Sequence, residues 1–148
     1  MPESHGRLFY QNPDRLRWEI TDPVIMGFVI DGERGRKWHG SNDRSRRFDV
    51  RKDPVIFVIS NQVFSWAKGD YEKLKDGYDV SVISECPVEI RLVPLSPVEK
   101  KYIDSITLAF SEKENHVNRI EIVEKRGGTT QIIFSNMIIN AELQEDLF

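Results

Sequence analysis

Few residues in this chain have the type and spacing that catalysis or metal binding needs. The three histidines, His5, His39 and His116, are far apart, and none has cysteine or carboxylate neighbours at the spacing of a zinc site. Cys86 is the single cysteine, and since Pro87 follows it, we expect a buried residue at a strand end instead of a catalytic thiol. No phosphate-binding glycine loop or nucleophile motif occurs. The sequence predicts no metal site and no cofactor.

A local excess of positive charge is the second feature that could do chemistry. Between Arg34 and Lys52 eight residues are basic and two are acidic, although the whole chain has a net charge of -3. A hairpin with a solvated polar face explains such a run, and the alternative is a docking surface for an acidic partner or an anionic lipid surface. Nucleic acid is not expected, because Trp38 and Phe48 are the only interleaved aromatics. The docking candidates are Arg34, Arg36, Lys37, Arg44, Arg46 and Arg47.

The candidate residues named above must be held by secondary structure, and the sequence indicates strands in which apolar and polar residues alternate. Leu16, Trp18 and Ile20 alternate with charged residues, which places the three on one dry face opposite a wet face. Turn signals recur in the first third at the spacing typical of a meander, roughly every 8–12 residues. The same alternation of apolar and polar residues, with a period of two, occurs again over 78–93 and 105–135. The sequence therefore predicts two antiparallel meanders.

The segment between the meanders has a different period. Asp53 is a good N-cap, a proline follows it, and apolar residues recur at helical spacing over 54–67. We predict a short amphipathic helix there, with a strand as the alternative because the segment is rich in β-branched residues. Another helical turn or two is expected over Asp70–Lys75. The insert thus covers about 53–77 within a single domain, 1–148.

Composition agrees with a mainly β protein. The chain has 148 residues, with 15 Ile and 13 Val against 8 Leu and 3 Ala. The longest uncharged stretch, 54–67, contains Ser60, Asn61 and Ser65 and is too short to span a bilayer. The first five residues have neither the basic nor the apolar region of a signal peptide.

Several short motifs follow one another in a characteristic order. They are Gly6-Arg7-Leu8-Phe9-Tyr10, Pro13, Leu16-Arg17-Trp18-Glu19, Pro23, Asp31-Gly32, Ile120–Glu124, Ile132–Asn136 and Asp146-Leu147-Phe148. Their order and spacing resemble the periplasmic outer-membrane lipoprotein carriers of the LolA type. The resemblance covers nearly the whole chain and depends on the combination of motifs, since no single motif is as specific as a catalytic signature.

The resemblance implies an unclosed antiparallel β-barrel, or half-barrel, whose concave apolar face holds acyl chains beneath a helical lid. It implies no enzymatic activity, a periplasmic location, and as partners the acyl chains of lipoproteins or another lipid, an inner-membrane transporter and an outer-membrane receptor. The expected cavity residues are Leu16, Trp18, Ile20, Leu108, Phe110, Ile120, Ile122, Ile132 and Phe134, each of which could equally be core. The expected lid residues are Val55, Ile56, Val58, Ile59 and Val63.

Two departures from the family pattern affect these expectations. The carriers usually have a helix and one more strand ahead of the first motif, so we expect a truncated start, and the apolar surface left uncovered would favour a homodimer or a bound lipid. Asn12 stands where an arginine often bonds lid carbonyls, which makes Asn12 a candidate latch of shorter reach.

Three functional hypotheses follow. The first is a carrier that shields lipoprotein acyl chains between the two membranes, with the basic segment docking a membrane partner. The second is a lipid- or lipoprotein-sensing interaction module on the same fold, or a carrier of another lipid. The third is an enzyme acting on a lipid headgroup, which would need two titratable residues converging at the cavity mouth.

Overall fold

Ten strands account for most of the part of the chain that the structure describes. The computed structural model describes residues 2–40, 45–53, 56–57, 60–61, 65, 72, 74–112, 116–138 and 140–148. Within these ranges the strands form two five-stranded antiparallel sheets, each in sequential strand order and neither closed on itself. The predicted fold class, mainly β with unclosed antiparallel sheets and small helices, is confirmed.

Sheet 1 is the meander that the evenly spaced turn signals predict. Its β1–β2 and β3–β4 turns fall at the predicted positions, and Gly32 in the latter has a φ of +67°, a conformation that glycine adopts without steric cost. The strands of sheet 1 are β1 (His5–Gln11), β2 (Arg15–Asp22), β3 (Met26–Asp31), β4 (Arg34–His39) and β5 (Arg46–Asp49).

Sheet 2 is the second predicted meander. The expected hairpin over 78–93 is present, whereas Phe134 and Ser135, predicted in the last strand, lie just beyond its end. The strands of sheet 2 are β6 (Tyr78–Glu85), β7 (Val88–Pro94), β8 (Ile103–Phe110), β9 (Val117–Glu124) and β10 (Thr129–Ile133). Two single-turn helices flank this sheet, α1 (Leu74–Gly77) and α2 (Pro97–Lys100).

The helical insert begins at the predicted residue. After β5 comes a 3₁₀ turn, Val50–Lys52, and then Asp53, whose carboxylate accepts a 3.2 Å hydrogen bond from the Ile56 amide. The Asp53 carbonyl accepts a second, 2.9 Å bond from the Phe57 amide. Residues 56–57, 60–61 and 65 are helical, so helix is confirmed over strand at these positions. Four predicted lid residues lie outside the described residues: Val55, Val58, Ile59 and Val63.

The chain divides into two compact units. One comprises Met1–Lys68 with Ala141–Phe148, and the other comprises Gly69–Asn140. The first unit contains sheet 1, the insert's start and the last eight residues, which end in a 3₁₀ turn, Glu145–Leu147. The single domain over 1–148 stays a prediction.

The prediction for Cys86 is wrong. Its side chain is exposed, because the chain reverses direction at Cys86 and Pro87, between the end of β6 and the start of β7. The cysteine therefore belongs to a turn and not to a buried strand end.

Candidate functional site

One face of sheet 1 carries a compact apolar cluster. Strand pairing sets Leu16 opposite Ile30 and Trp18 opposite Phe28, so that all four side chains lie on the same face. Leu16, Phe28 and Ile30 are 0%, 7% and 1% exposed and form the centre of the cluster. The rings of Trp18 and Phe28 are stacked with centroids 6.2 Å apart. The predicted dry face therefore exists, and Ile20 lies half-buried at its margin, opposite Met26.

Aromatic side chains complete this face where a glycine leaves room. Phe48 on the edge strand β5 pairs with Gly35 on β4, and a Cβ at Gly35 would lie 2.7 Å from the Phe48 ring. A substitution at Gly35 would therefore displace the ring. The half-buried side chains that pack against the cluster are Leu8, Tyr10, Trp18, Phe48, Val50 and Ile56.

The insert contacts this apolar face through Ile56. Its side chain packs against the Leu16, Phe28 and Ile30 cluster, and Ser60, one helical turn later, is 2% exposed and donates a 2.6 Å hydrogen bond to the Ile56 carbonyl. The part of the predicted lid that the structure describes thus lies on the apolar face of sheet 1.

An ion pair fixes the start of the insert to the sheet. Lys37 on β4 lies 3.5 Å from the carboxylate of Asp53, the residue that caps the insert helix. The same ammonium group lies 5.2 Å from the centroid of the Phe48 ring. Lys37 therefore connects the cap of the insert with the edge of the apolar face.

Most residues of this apolar face were not predicted from the sequence. Phe28, Ile30, Leu8 and Tyr10 were not among the expected cavity residues, and the buried Val29 between Phe28 and Ile30 hides the alternation that Leu16 and Trp18 show. Applying period two to β1 and β3 would have identified them, because antiparallel neighbours must share the buried face.

The opposite face of sheet 1 is not the wet face that the sequence predicts. Glu19 is 8% exposed and accepts hydrogen bonds from Arg17 and Arg7, the latter at 2.7 Å. Burial alone would raise the pKa of Glu19, but the two guanidinium groups lower it below its usual value. Arg17 in turn lies over the Trp38 ring, 4.9 Å from its centroid. The charged residues of β2 thus form a packed network.

The C-terminal residues cover this network. Arg17 donates a 3.0 Å hydrogen bond to the Leu147 carbonyl, and Arg36 donates one of 3.3 Å to the Phe148 carbonyl. Arg15 lies 5.8 Å from the centroid of the Phe148 ring. Three arginines from two strands therefore hold the last two residues, and Arg17, whose partner Glu19 is buried, is itself only 23% exposed.

Sheet 2 has a buried face made of aliphatic side chains. Leu108 pairs with Ile90 on β7 and with Ile120 on β9. Ile106 likewise has a partner on each neighbouring strand, Leu92 and Ile122. Leu108, Ile120 and Ile122 are 0%, 2% and 6% exposed. Three expected cavity residues thus share one apolar face, on which Ile132 pairs with Ile120.

The remaining expected cavity residues of sheet 2 lie at its margins. Ile132, Phe134 and Phe110 are half-buried, and the Phe134 amide donates a 2.8 Å hydrogen bond to the Asn118 carbonyl. Phe110 borders an open depression of about 460 Å³. The other residues of that depression are Glu85, Cys86, Pro87, Val88, Ser111 and Glu112.

The basic strands place their cations in solvent. Arg34, Arg36, Lys37, Arg46 and Arg47 are exposed on β4 and β5. Arg44 lies outside the described residues. The positive charges therefore lie on the last two strands of sheet 1.

The candidate latch lies in the β1–β2 turn. Asn12 is exposed, and its side-chain oxygen accepts a 3.4 Å hydrogen bond from the Tyr10 hydroxyl, which also lies 3.4 Å from the Pro13 carbonyl. Burial, followed by the charge of Asp14, raises the pKa of Tyr10, so the hydroxyl keeps its proton. The role of Asn12 as a latch stays a prediction.

Neither a metal cluster nor a spanning helix occurs in the part of the chain described here. No three histidine, cysteine or acidic side chains come together there in a way that could bind a metal ion. None of the helices described has the length and apolar character needed to cross a membrane.

Comparison with known proteins identifies the family. No curated relative matches the chain in sequence. The family model described as outer membrane lipoprotein carrier protein LolA matches residues 1–148, which confirms the resemblance found in the motifs. With sheets of the expected kind and an insert lying on an apolar face, the chain belongs to the LolA family of outer membrane lipoprotein carriers, whose general role is lipoprotein carriage.

Proposed function

We propose that this protein is a periplasmic carrier that binds the acyl chains of lipoproteins and moves them from the inner to the outer membrane without catalysing a reaction. The observation that supports this proposal most directly is the contact between Ile56 of the insert and the Leu16, Phe28 and Ile30 cluster. The insert lies on the apolar face and is held at its start by the ion pair between Asp53 and Lys37. This arrangement suits a site with a removable cover.

The chemistry of such a site is exchange of one apolar contact for another. When the insert lifts, the cluster would lose its contact with Ile56, and an acyl chain laid on the same face would replace it. Each buried methylene contributes about 0.8 kcal/mol, so one long chain outweighs a single half-buried isoleucine. The closed insert and the cargo therefore compete for sheet 1. Binding of acyl chains by the expected cavity residues of sheet 2 stays a prediction.

The remaining assignments belong to the same proposal. An inner-membrane transporter would load the carrier and an outer-membrane receptor would unload it, with the exposed cations of β4 and β5 as the docking surface. Asn12 would help to hold the insert closed. The carrier needs no cofactor for any of these steps, because loading and release are binding equilibria.

A fluorescent reporter on the insert tests the proposal. In a Cys86→Ser background, Ile56→Cys labelled with an environment-sensitive dye should show blue-shifted emission in the free protein. Adding a triacylated lipopeptide should displace the insert and shift the emission to the red. Thr129→Cys on the exposed start of β10 is the matched control and should not respond.

Two results would contradict carriage. If native mass spectrometry and Trp18 fluorescence both show no binding of lipopeptide or fatty acid, the apolar face is ordinary core. If lipopeptide binds and the captured partner is a signalling protein instead of a transporter or receptor, the protein is a sensing module on the same fold.

A further inference from the structure

The β2–β3 turn of sheet 1 presents three consecutive large apolar side chains to solvent. Val24, Ile25 and Met26 are 44%, 46% and 42% exposed. The Ile25 carbonyl accepts a 2.6 Å hydrogen bond from the Gly40 amide, which fixes the turn to the end of β4. Nothing in turn formation requires these residues, since turns are normally built from polar residues, glycine and proline. We call Pro23–Met26 the apolar tip.

Cationic side chains accumulate beside the apolar tip. Pairing of β4 with β5 sets Lys37 opposite Arg46 and Arg36 opposite Arg47. Like charges in direct opposition destabilise a sheet. Arg46 and Arg47 form no ion pair with any residue within the described ranges, and both are exposed. The β4–β5 hairpin therefore concentrates positive charge that residues of sheet 1 leave largely uncompensated.

The strand register brings these cations close to the apolar tip. Met26 pairs with His39, and Lys37 lies two residues away from His39 along β4, about 7 Å at the usual rise of a strand. Arg46 opens β5 at the same end of the sheet. Acidic residues also lie at this end of the sheet: Asp22 ends β2, and Glu3 lies 3.6 Å from His5, which pairs with Asp22. Three apolar side chains thus lie beside a predominantly cationic strand pair.

We infer that the apolar tip and the β4–β5 cations form a contact site for an anionic lipid bilayer. Apolar side chains entering the acyl boundary and cations binding lipid phosphates are the two components of interfacial membrane binding. The tip would enter the interface, while Arg46 and Arg47 remain at the level of the headgroups. This contact goes beyond carriage and requires no cargo.

The chemistry of the tip favours a bilayer over an acidic protein. Val24, Ile25 and Met26 are all exposed, and a fluid hydrocarbon medium accepts apolar side chains in any orientation. A protein partner would need a pocket for each, whereas the cations are spread over both faces of β4 and β5. An acidic protein would engage one face and leave the other unused.

Vesicle binding by cargo-free protein tests the inference. The full chain should sediment with vesicles of phosphatidylglycerol and phosphatidylethanolamine, and should bind phosphatidylcholine vesicles far more weakly. Ile25→Ser combined with Val24→Ser should weaken binding about tenfold, because two apolar side chains no longer insert. Arg46→Gln combined with Arg47→Gln should weaken binding by about fivefold for each cation removed and reduce its dependence on salt.

A matched control comes from sheet 2. Val98 is 62% exposed, and the exposed lysines Lys100 and Lys101 follow it after one residue. Val98→Ser with Lys100→Gln and Lys101→Gln therefore removes one exposed apolar side chain and two cations away from the tip. This variant should bind vesicles as the unmodified protein does. A dye on Ile25→Cys in the Cys86→Ser background should shift to the blue on anionic vesicles, and a dye on Val98→Cys should not.

Either of two outcomes would overturn the inference: an unmodified protein that ignores anionic vesicles, or tip variants that bind as well as the control. Vesicle binding that survives loss of both arginines, with capture of an acidic protein lost instead, would assign the cations to a protein partner and also overturn it. Lipopeptide binding in solution should be normal in the tip variants. The inference and the carrier proposal can therefore fail separately.

Discussion

The two sheets have the same number of strands in the same sequential order, but they bury different kinds of side chain. Sheet 1 places an aromatic-rich cluster around Leu16 and Phe28 on one face and a carboxylate between two arginines, at Glu19, on the other. Sheet 2 packs aliphatic residues such as Leu108 and Ile120 almost completely. If the carrier proposal is correct, sheet 1 would be the surface on which insert and cargo exchange, and sheet 2 would be the more conventional scaffold.

The largest expected effect tests whether Leu108 is scaffold. With no exposed surface and isoleucines on both sides, Leu108→Ala should lower the free energy of unfolding by about 3 kcal/mol, because a cavity remains in the packed face. Urea denaturation measures the loss. If stability hardly changes and lipopeptide affinity falls instead, Leu108 lines the acyl site and sheet 2 shares the role of sheet 1.

Matched carboxylates compare the charged faces of the two sheets. Glu19→Gln in sheet 1 should lower the free energy of unfolding by about 1–2 kcal/mol, because two guanidinium groups lose their shared partner in a covered site. Glu89→Gln in sheet 2 removes the 2.6 Å ion pair between Arg119 and a carboxylate that is more exposed than Glu19, and should cost about 0.5 kcal/mol. Equal losses in urea denaturation would remove this difference between the sheets.

The same carboxylate predicts a pH dependence. Because the folded protein lowers the pKa of Glu19, its contribution is complete above the usual glutamate value of 4.5 and is lost as pH falls through the lower folded value. The stability difference between the unmodified protein and Glu19→Gln should therefore be constant from pH 7 to about 5 and shrink below about 4.5. Denaturation curves across this range measure it, and a difference that grows on acidification would contradict the argument.

A smaller effect concerns the start of the insert. Asp53→Ala removes both the helix cap and the ion pair with Lys37, which should cost about 1 kcal/mol of insert stability. Since the closed insert and the cargo compete, lipopeptide affinity measured by titration should rise by up to about fivefold. Unchanged or weaker affinity would show that the insert does not occlude the site.

The smallest effect concerns the C-terminal residues. Phe148→Ala removes the ring beneath Arg15 and should lower the free energy of unfolding by about 0.5–1 kcal/mol. Arg17 and Arg36 bond backbone carbonyls and keep their partners in this variant. A loss as large as that of Glu19→Gln would mean that the ring, and not the arginine network, covers this face.

Local patterns were sufficient to predict the strands and the start of the insert. Period two determines which residues of a strand share a face, as Leu16 and Trp18 show, and Asp53 before a proline identifies a helix start without tertiary information. Cys86 was misassigned because a Cys-Pro pair does not distinguish a strand end from the turn that follows it.

The burial of Glu19 had no signal in the sequence around it. Alternation predicts a solvated carboxylate, whereas its partner Arg17 also bonds the Leu147 carbonyl, which no local pattern connects to β2. The candidate site was predicted in part for the same reason: the apolar residues were evident, but which of them Ile56 would contact depended on packing. Tertiary contacts between distant segments decided both cases.

The hydrogen bonds between sheet 1 and residues 147–148 also determine which contacts can form early during synthesis. Arg17 and Leu147 are 130 positions apart in sequence, so their hydrogen bond can form only after the strands of sheet 2 have been made. Contacts of such long range form late and slowly. The sheet that is synthesised first therefore lacks these contacts on one face until residues 147–148 have been made.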